Sequence, residues 1–300
     1  MIDFKEVEIN DKKWIVPLLA AADMPGSQFN FSNIFSWSKI LNYRAAEVGQ
    51  FLVVKGNMLD GASFYLYPAG KGNLKSVIDT MRKDSAKCGH QFILLGLFPE
   101  NMDLLNMLFP GSFTYSEMRD GFDYVYLLDQ LVTLAGRKFS AKRNHINRFK
   151  KNYSWVFEPI SPDNLAECWE MNVEWCKTHG CEEDVQLINE YCAVRRCFEN
   201  YTDLGLEGGL LRIEGKVKAF TMGERLNSDT YDIHIEKAID SFHGAYQMIN
   251  REFAALVQKN HPELIYVNRE EDMGFEGLRK AKLFYYPVRL EEKYQGIFVG

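Results

Sequence analysis

Thr230-Tyr231-Asp232-Ile233-His234-Ile235-Glu236-Lys237-Ala238, followed by Ile239-Asp240-Ser241-Phe242-His243-Gly244-Ala245-Tyr246-Gln247, is the stretch on which the reading of this chain turns. In its first nine residues apolar and polar side chains alternate. That spacing predicts a strand with Tyr231, Ile233 and Ile235 on one face and Asp232, His234 and Glu236 on the other. Three titratable groups about 7 Å apart on one face can hold a general base and its orienting partner. The alternative is a solvated face, and the alternation alone does not separate the two. The second stretch passes through a single glycine into a helix, whose free backbone N–H groups are suited to an anion such as a pyrophosphate or carboxylate. Ser241, His243, Gly244 and Ala245 are the candidate contacts.

Working outward, the second half reads as a strand at Trp155–Glu158, helices over 162–179 and 183–200, and a hairpin of 210–213 with 217–222. The strand 230–238, a helix over 244–259, a strand ending in Asn268, a helix over 275–284 and a final strand over 288–293 complete it. The first half repeats this order. A helix over 27–48 precedes β-rich runs at 50–55 and 62–67, a helix from Leu74, a buried strand at 91–97, a helix at 99–108 and a β-rich stretch at 124–131. Both halves run β-β-α-β-α-β, which predicts two mixed α/β units: 1–135, a basic junction helix at 136–152, and 153–300. Three hundred residues fit two domains better than one overgrown core.

Composition narrows the class. With 46% hydrophobic and 25% charged residues the chain can bury a substantial core. Its start has no basic region leading into an apolar run, and no stretch reaches the ~18 apolar residues of a spanning helix. A cytoplasmic protein without a membrane span is the expectation, with peripheral membrane contact left open. Six scattered cysteines suit reduced thiols better than a disulfide scaffold. The x4 spacings among Cys176, Cys181, Cys192 and Cys197 do not match structural zinc knuckles, so no metal is expected. There is no phosphate-loop motif, no Gly-x-Ser-x-Gly elbow and no His-Glu-x-x-His pair, which argues against nucleotidase, serine hydrolase and metalloprotease readings.

The net charge of −6 is unevenly spread. Residues 137–151 carry seven Lys or Arg and no acid, whereas 152–300 hold 16 basic against 26 acidic residues. Phe139, Ile146 and Phe149 give the basic segment an apolar stripe, so it reads as an amphipathic helix. Lys142, Arg143 and Arg148 are candidates for contacting tRNA or another anion. A plain cationic linker answered by the acidic second half is the competing reading.

Further motifs add a resemblance. Strand, short loop with Gly244, helix and a strand ending in Asn268 resemble the cofactor-binding half of the GNAT acyltransferase fold. Glu270-Glu271-Asp272-Met273-Gly274-Phe275-Glu276-Gly277-Leu278-Arg279-Lys280-Ala281-Lys282-Leu283-Phe284-Tyr285-Tyr286-Pro287 opens with acids and ends in cations and aromatics. Together with Pro68-Ala69-Gly70, Lys142-Arg143-Asn144-His145-Ile146-Asn147 and His234-Ile235-Glu236-Lys237-Ala238, it resembles the phosphatidylglycerol lysyltransferase C-terminal family over roughly residues 25–290. That family is similar in architecture to the FemABX peptidyltransferases, two GNAT-like units in tandem. The resemblance implies an acyl- or aminoacyltransferase taking its group from acyl-CoA or aminoacyl-tRNA and passing it to an amine or hydroxyl of a small-molecule or peptide acceptor. The second unit would hold the active cleft, with the first a degenerate partner. Glu236 or His234 would activate the acceptor, with Asp232 beside them. Tyr285, or Tyr286 beside it, would protonate the leaving group, although two tyrosines before a proline serve equally well in packing; Asn268, Arg279 and Lys282 would join the loop in holding the donor. Arg279 and Lys282 stand three apart on one helix face, where they could meet a phosphate or serve only as a cation pair at the helix end. Asp272 is equally well read as a helix cap. The rival reading is a non-catalytic tandem-GNAT protein that binds RNA or a charged small molecule.

Overall fold

The computed structural model describes every residue of the chain except Leu59. In chain order, the first part runs β1 (Lys5–Glu6), α1 (Lys12–Ala22), α2 (Phe31–Trp37), β2 (Arg44–Val48), β3 (Phe51–Asn57), β4 (Ser63–Leu66) and β5 (Ala69–Gly70). There follow α3 (Leu74–Lys87), β6 (Ile93–Leu97), α4 (Pro99–Leu108), β7 (Phe113–Glu117), β8 (Asp123–Leu127) and α5 (Leu128–Thr133). The later part runs α6 (Ser140–Asn152), β9 (Trp155–Pro159), α7 (Leu165–His179), α8 (Val185–Glu199), α9 (Tyr201–Leu204), β10 (Glu207–Ile213) and β11 (Lys216–Arg225). It closes with β12 (Thr230–Ala238), α10 (Ala245–Asn260), β13 (Tyr266–Asn268), α11 (Glu276–Leu283), β14 (Arg289–Glu291) and β15 (Tyr294–Phe298).

Two mixed sheets result, one ordered β1-β2-β3-β4-β6-β15-β7 with β5 on β3, the other β14-β8-β13-β12-β11-β10-β9. Each holds a parallel pair, β4 with β6 and β12 with β13, flanked by antiparallel neighbours such as β3 with β4 and β11 with β12. The chain does not divide at the single junction expected near 136–152. One compact unit comprises Met1–Tyr124, Glu270–Lys280 and Leu290–Gly300; the other comprises Val125–Arg269 and Ala281–Arg289. The reason lies in strand pairing. β8 hydrogen-bonds to β13 in the second sheet, while β15 inserts between β6 and β7 in the first.

Other expectations are corrected locally. The helix expected over 27–48 ends at Trp37, because Arg44–Val48 instead pairs with Phe51–Lys55 across a turn at Gly49 and Gln50, both at positive φ. The final stretch forms β14 and β15 rather than one strand, and the β-rich run ending at Leu131 turns helical after Leu127.

In the first unit the core is built on Phe31, Ile34, Tyr65, Ile78 and Leu94, all essentially buried. Asp272, fully buried, accepts from Tyr124, from Arg279 and from the Gly274 N–H. Despite burial, these partners hold its carboxyl well below the usual carboxylate range. In the second unit α10 lays Met248, Ile249, Phe253 and Val257 on the sheet, with Tyr231 edge-on to Phe253 at 5.9 Å between centroids. Burying such side chains is worth ~1.5–3 kcal/mol each.

Candidate active site

The site forms where two parallel strands part. β12 pairs with β13 only at Thr230–Asp232 against Tyr266–Asn268. Beyond that point β12 continues to Ala238 and β13 ends, so the edge of β12 facing β13 opens. Openings at the carboxyl ends of parallel strands are where ligands collect in α/β sheets.

Arg269, the residue just after β13, reaches back across the opening to Glu236, with Nη2 2.8 Å from Oε1. Asn250 of α10 donates its Nδ2 to the other oxygen of Glu236 at 2.9 Å. The guanidinium carbon of Arg269 lies 4.9 Å from the ring centre of Tyr285 and 5.6 Å from that of Tyr126. Lys282, expected to meet a phosphate, instead donates to the Arg269 carbonyl at 2.6 Å and is buried. From α6, Lys142 places its Nζ 4.0 Å from the ring centre of Tyr285. Burial, and secondarily the charge of Arg269, lower the Lys142 amine to about 8, with Glu236 pulling the other way. Burial pushes the Tyr285 phenol up, so it stays protonated at neutral pH. Although burial opposes its charge, Glu236 keeps Arg269 ionised.

Three buried polar atoms here lack a hydrogen-bond partner: Arg269 Nη1, Asn250 Oδ1 and the hydroxyl of Thr221, which stands opposite Glu236 in the sheet. Unmet buried polar groups cost ~1–3 kcal/mol apiece, so their clustering marks a place shaped for something more than packing.

The strand face expected to carry Asp232, His234 and Glu236 together does not exist. The register between β11 and β12 slips at Met222 and Gly223: Met222 opposes Ile235 while Gly223 opposes Ile233, leaving His234 unopposed. A Cβ on Gly223 would stand 2.0 Å from the Asp232 carbonyl oxygen, so the bulge requires glycine there. After the bulge the alternation is reversed. Tyr231 and Glu236, five apart, both meet α10, through Phe253 and Asn250. His234 turns to Glu224 at 3.3 Å and Asp232 at 3.7 Å.

The loop before α10 keeps Ser241 and His243 exposed, with Gly244 and Ala245 opening the helix. Gly244 has φ 94°, and a Cβ there would lie 2.7 Å from the His145 carbonyl oxygen of α6. Its smallness thus seats α6 against α10, independently of any ligand. Asn268 is buried at the end of β13, immediately before Arg269. Arg279 is taken up by Asp272 and Asp120, so it does not form the expected anion-binding pair with Lys282. Arg143 donates to the carbonyls of Leu134 and Gly136, and Arg148 is exposed on α6. Of the expected residues, Glu236, Tyr285 and Lys142 therefore come together. Arg269, Asn250, Thr221 and Tyr126 join them unannounced, although Asn250 left one signal as a polar residue amid the apolar positions of α10.

Two mixed sheets, each holding a parallel pair, give the chain a tandem GNAT-like fold. The family model described as phosphatidylglycerol lysyltransferase, C-terminal, matches residues 20–295, and the chain belongs to that family. A conserved protein of unknown function from Bacteroides thetaiotaomicron VPI-5482 is 40% identical, with full coverage of both chains and a TM-score of 0.95. L-PGS from Bacillus licheniformis shares the fold at 16% identity and TM-score 0.61, covering 90% of this chain and 92% of that one. FemX does so at 9% identity and TM-score 0.66, covering 99% and 98%. An uncharacterized protein of Mycoplasmoides gallisepticum is 24% identical over 174 residues, 57% of this chain and 54% of that one. The chain thus matches about half the length of that curated relative. Membership of that family supports an acyl- or aminoacyltransferase, and the fold is the one shared with L-PGS and FemX. Among the described residues no helix is long and apolar enough to cross a membrane.

Proposed function

We propose that this chain transfers an aminoacyl group from the ester of a charged tRNA to an amine or hydroxyl acceptor, with the aminoacyl end of the donor seated on Glu236, Asn250 and Arg269. The carrying observation is the pattern of unmet polar atoms. Arg269 can only donate. Asn250 is held with its Nδ2 toward the carboxylate, so its Oδ1 presents an acceptor. A ligand that offers an N–H and a carbonyl oxygen close together satisfies both, and an α-aminoacyl ester has that pair. In an acetyl or fatty acyl thioester the acyl group being transferred offers the carbonyl alone, and an N–H comes only from the amides of the carrier arm.

In the reaction the acceptor N or O attacks the ester carbonyl, the new C–N or C–O bond forms, and the bond to the tRNA ribose oxygen breaks. Arg269 Nη1 faces the oxygen on which negative charge develops. Lys142, about a quarter neutral at pH 7.5 for an amine near 8, takes the acceptor proton. Tyr285, kept protonated by burial, supplies a proton to the departing ribose oxygen. The opening lies in the second unit. In the first, the chain beyond β4 turns back as β5 onto β3, where a Cβ on Gly70 would sit 2.2 Å from the Gln50 carbonyl oxygen.

The test offers purified protein a panel of aminoacyl-tRNAs and acyl-CoAs with amine and hydroxyl acceptors, phosphatidylglycerol included. Acceptor-dependent release is expected from at least one aminoacyl-tRNA and from no CoA thioester, falling at least a hundredfold in Arg269→Ala. Turnover of acyl-CoA with inert aminoacyl-tRNAs would sink the reading.

A further inference from the structure

The turn after α11 turns its apolar side chains outward. Tyr285 N–H donates to the Lys282 carbonyl at 3.0 Å and Tyr286 N–H to that of Leu283 at 2.9 Å, with Tyr286 at φ 55°. This tight geometry sends Lys282 and Tyr285 inward, where both are buried. Leu283, Phe284, Tyr286 and Val288 remain 43%, 62%, 40% and 43% exposed. Four large apolar side chains left in water within six residues are unusual for a surface with no partner.

This turn is tied to the basic segment. Phe139 meets the Tyr286 ring edge-on at 5.5 Å, and the Lys138 ammonium lies 5.3 Å from the centre of the same ring. Arg137 and Lys138 are both exposed. Neither 281–289 nor 136–151 contains an acidic residue, although the chain as a whole is acidic. The surface therefore combines protruding hydrocarbon, a tyrosine at its edge and uncompensated cations.

From this juxtaposition we infer that the turn at residues 283–288, flanked by Arg137 and Lys138, is a docking surface for an anionic lipid bilayer. Phe284 and Leu283 enter the acyl region, Tyr286 sits at the headgroup level, and the two cations meet lipid phosphates. A single-stranded nucleic acid is the occupant the cations would also suit, but Leu283 and Val288 have no ring face on which a base stacks. Hydrocarbon is what aliphatic side chains bury against, and the missing acids match an anionic surface. The inference stands on this patch alone and does not depend on the transfer reaction.

The experiment is vesicle flotation of the full chain. Phosphatidylcholine vesicles with and without about one-third phosphatidylglycerol or phosphatidylserine are compared at low and physiological salt, conditions under which added anionic lipid sets the surface potential. The chain is expected to float with both anionic compositions and not with phosphatidylcholine alone. Leu283→Ser combined with Phe284→Ser, and separately Arg137→Glu with Lys138→Glu, should each lower the bound fraction at least tenfold. The exposed Lys216→Glu, on the β10–β11 hairpin, should leave it unchanged. Because the altered side chains are exposed, thermal melts of the variants should coincide with that of the parent. No flotation with anionic vesicles overturns the inference, as does flotation insensitive to the Leu283 and Phe284 changes. Self-association abolished by Phe284→Ser, without flotation, would assign the patch to a second copy instead. Loss of tRNA binding in these variants, again without flotation, would assign it to nucleic acid.

Discussion

Replacing Lys142 by methionine should stabilise the protein while impairing it. Burial lowers this amine from its ordinary 10.5 to about 8, so the folded state holds the ammonium at a cost. Each pKa unit corresponds to 1.36 kcal/mol, which bounds that cost at ~3.4 kcal/mol for a difference of about 2.5 units. Lys142 is only part-buried, and solvent screening reduces this to ~1–2 kcal/mol. The ammonium's contact with the Tyr285 ring returns ~0.5–1 kcal/mol. A net gain of ~1 kcal/mol in Lys142→Met is expected at pH 6.5, or roughly 2 °C in melting temperature. The sign follows from linkage. Because the folded pKa lies below the unfolded one, the unfolded chain binds more protons between pH 8 and 10.5, and wild-type stability at this site rises with pH across that window. The penalty is complete below pH 8 and gone above 10.5, so the advantage of the variant should shrink steadily above pH 8 and be mostly lost by pH 10. Paired thermal melts at pH 6.5, 8 and 10 measure the difference, in which other titrations cancel. A variant less stable than wild type at pH 6.5, or an advantage that does not change with pH, would refute the account of Lys142 as a desolvated amine. Transfer by Lys142→Met should drop at least a hundredfold if this amine takes the acceptor proton.

Glu236→Gln removes the counter-charge of buried Arg269 while keeping the shape, and urea unfolding should register a loss of about 3 kcal/mol, the lower end for breaking a buried pair. Gly244→Ala forces a Cβ to within 2.7 Å of the His145 carbonyl at a left-handed φ; at least 2 kcal/mol of stability should be lost, with proteolysis showing α6 released first. Asp272→Asn should destabilise the first unit by about 3–5 kcal/mol in the same unfolding assay. Since the Asp272 carboxyl is depressed in the folded state, its contribution is present above the ordinary carboxylate pKa and is lost only as pH falls through the depressed value. The variant should therefore differ least from wild type at the acid extreme.

Local patterns in the chain were sufficient for much of this architecture. Alternation from Thr230 to Ala238 set the bounds of β12, and the apolar stripe of Phe139, Ile146 and Phe149 marked the buried side of α6. Periodicity reports which side chains leave water, and that is a property of neighbours along the chain. It failed where the outcome depended on a distant partner. Alanine and glutamate in Arg44–Val48 favour a helix, yet pairing with Phe51–Lys55 made them a strand. The single-junction domain division failed for the same reason, since β8 and β15 satisfy their backbone groups in sheets far from them in sequence.

The chain alone determined two mixed α/β units, because hydrophobic spacing is enough for those; its motifs carried the family resemblance, and Glu236 stood out only as a candidate. The chain did not determine the company Glu236 keeps. One unopposed residue at His234 reverses the pleat, sending Glu236 to Asn250 and Arg269 and leaving His234 with Asp232 and Glu224. A strand's alternation has a period of two, so a one-residue slip against β11 exchanges its faces, and the slip is set by the neighbouring strand rather than by β12 itself.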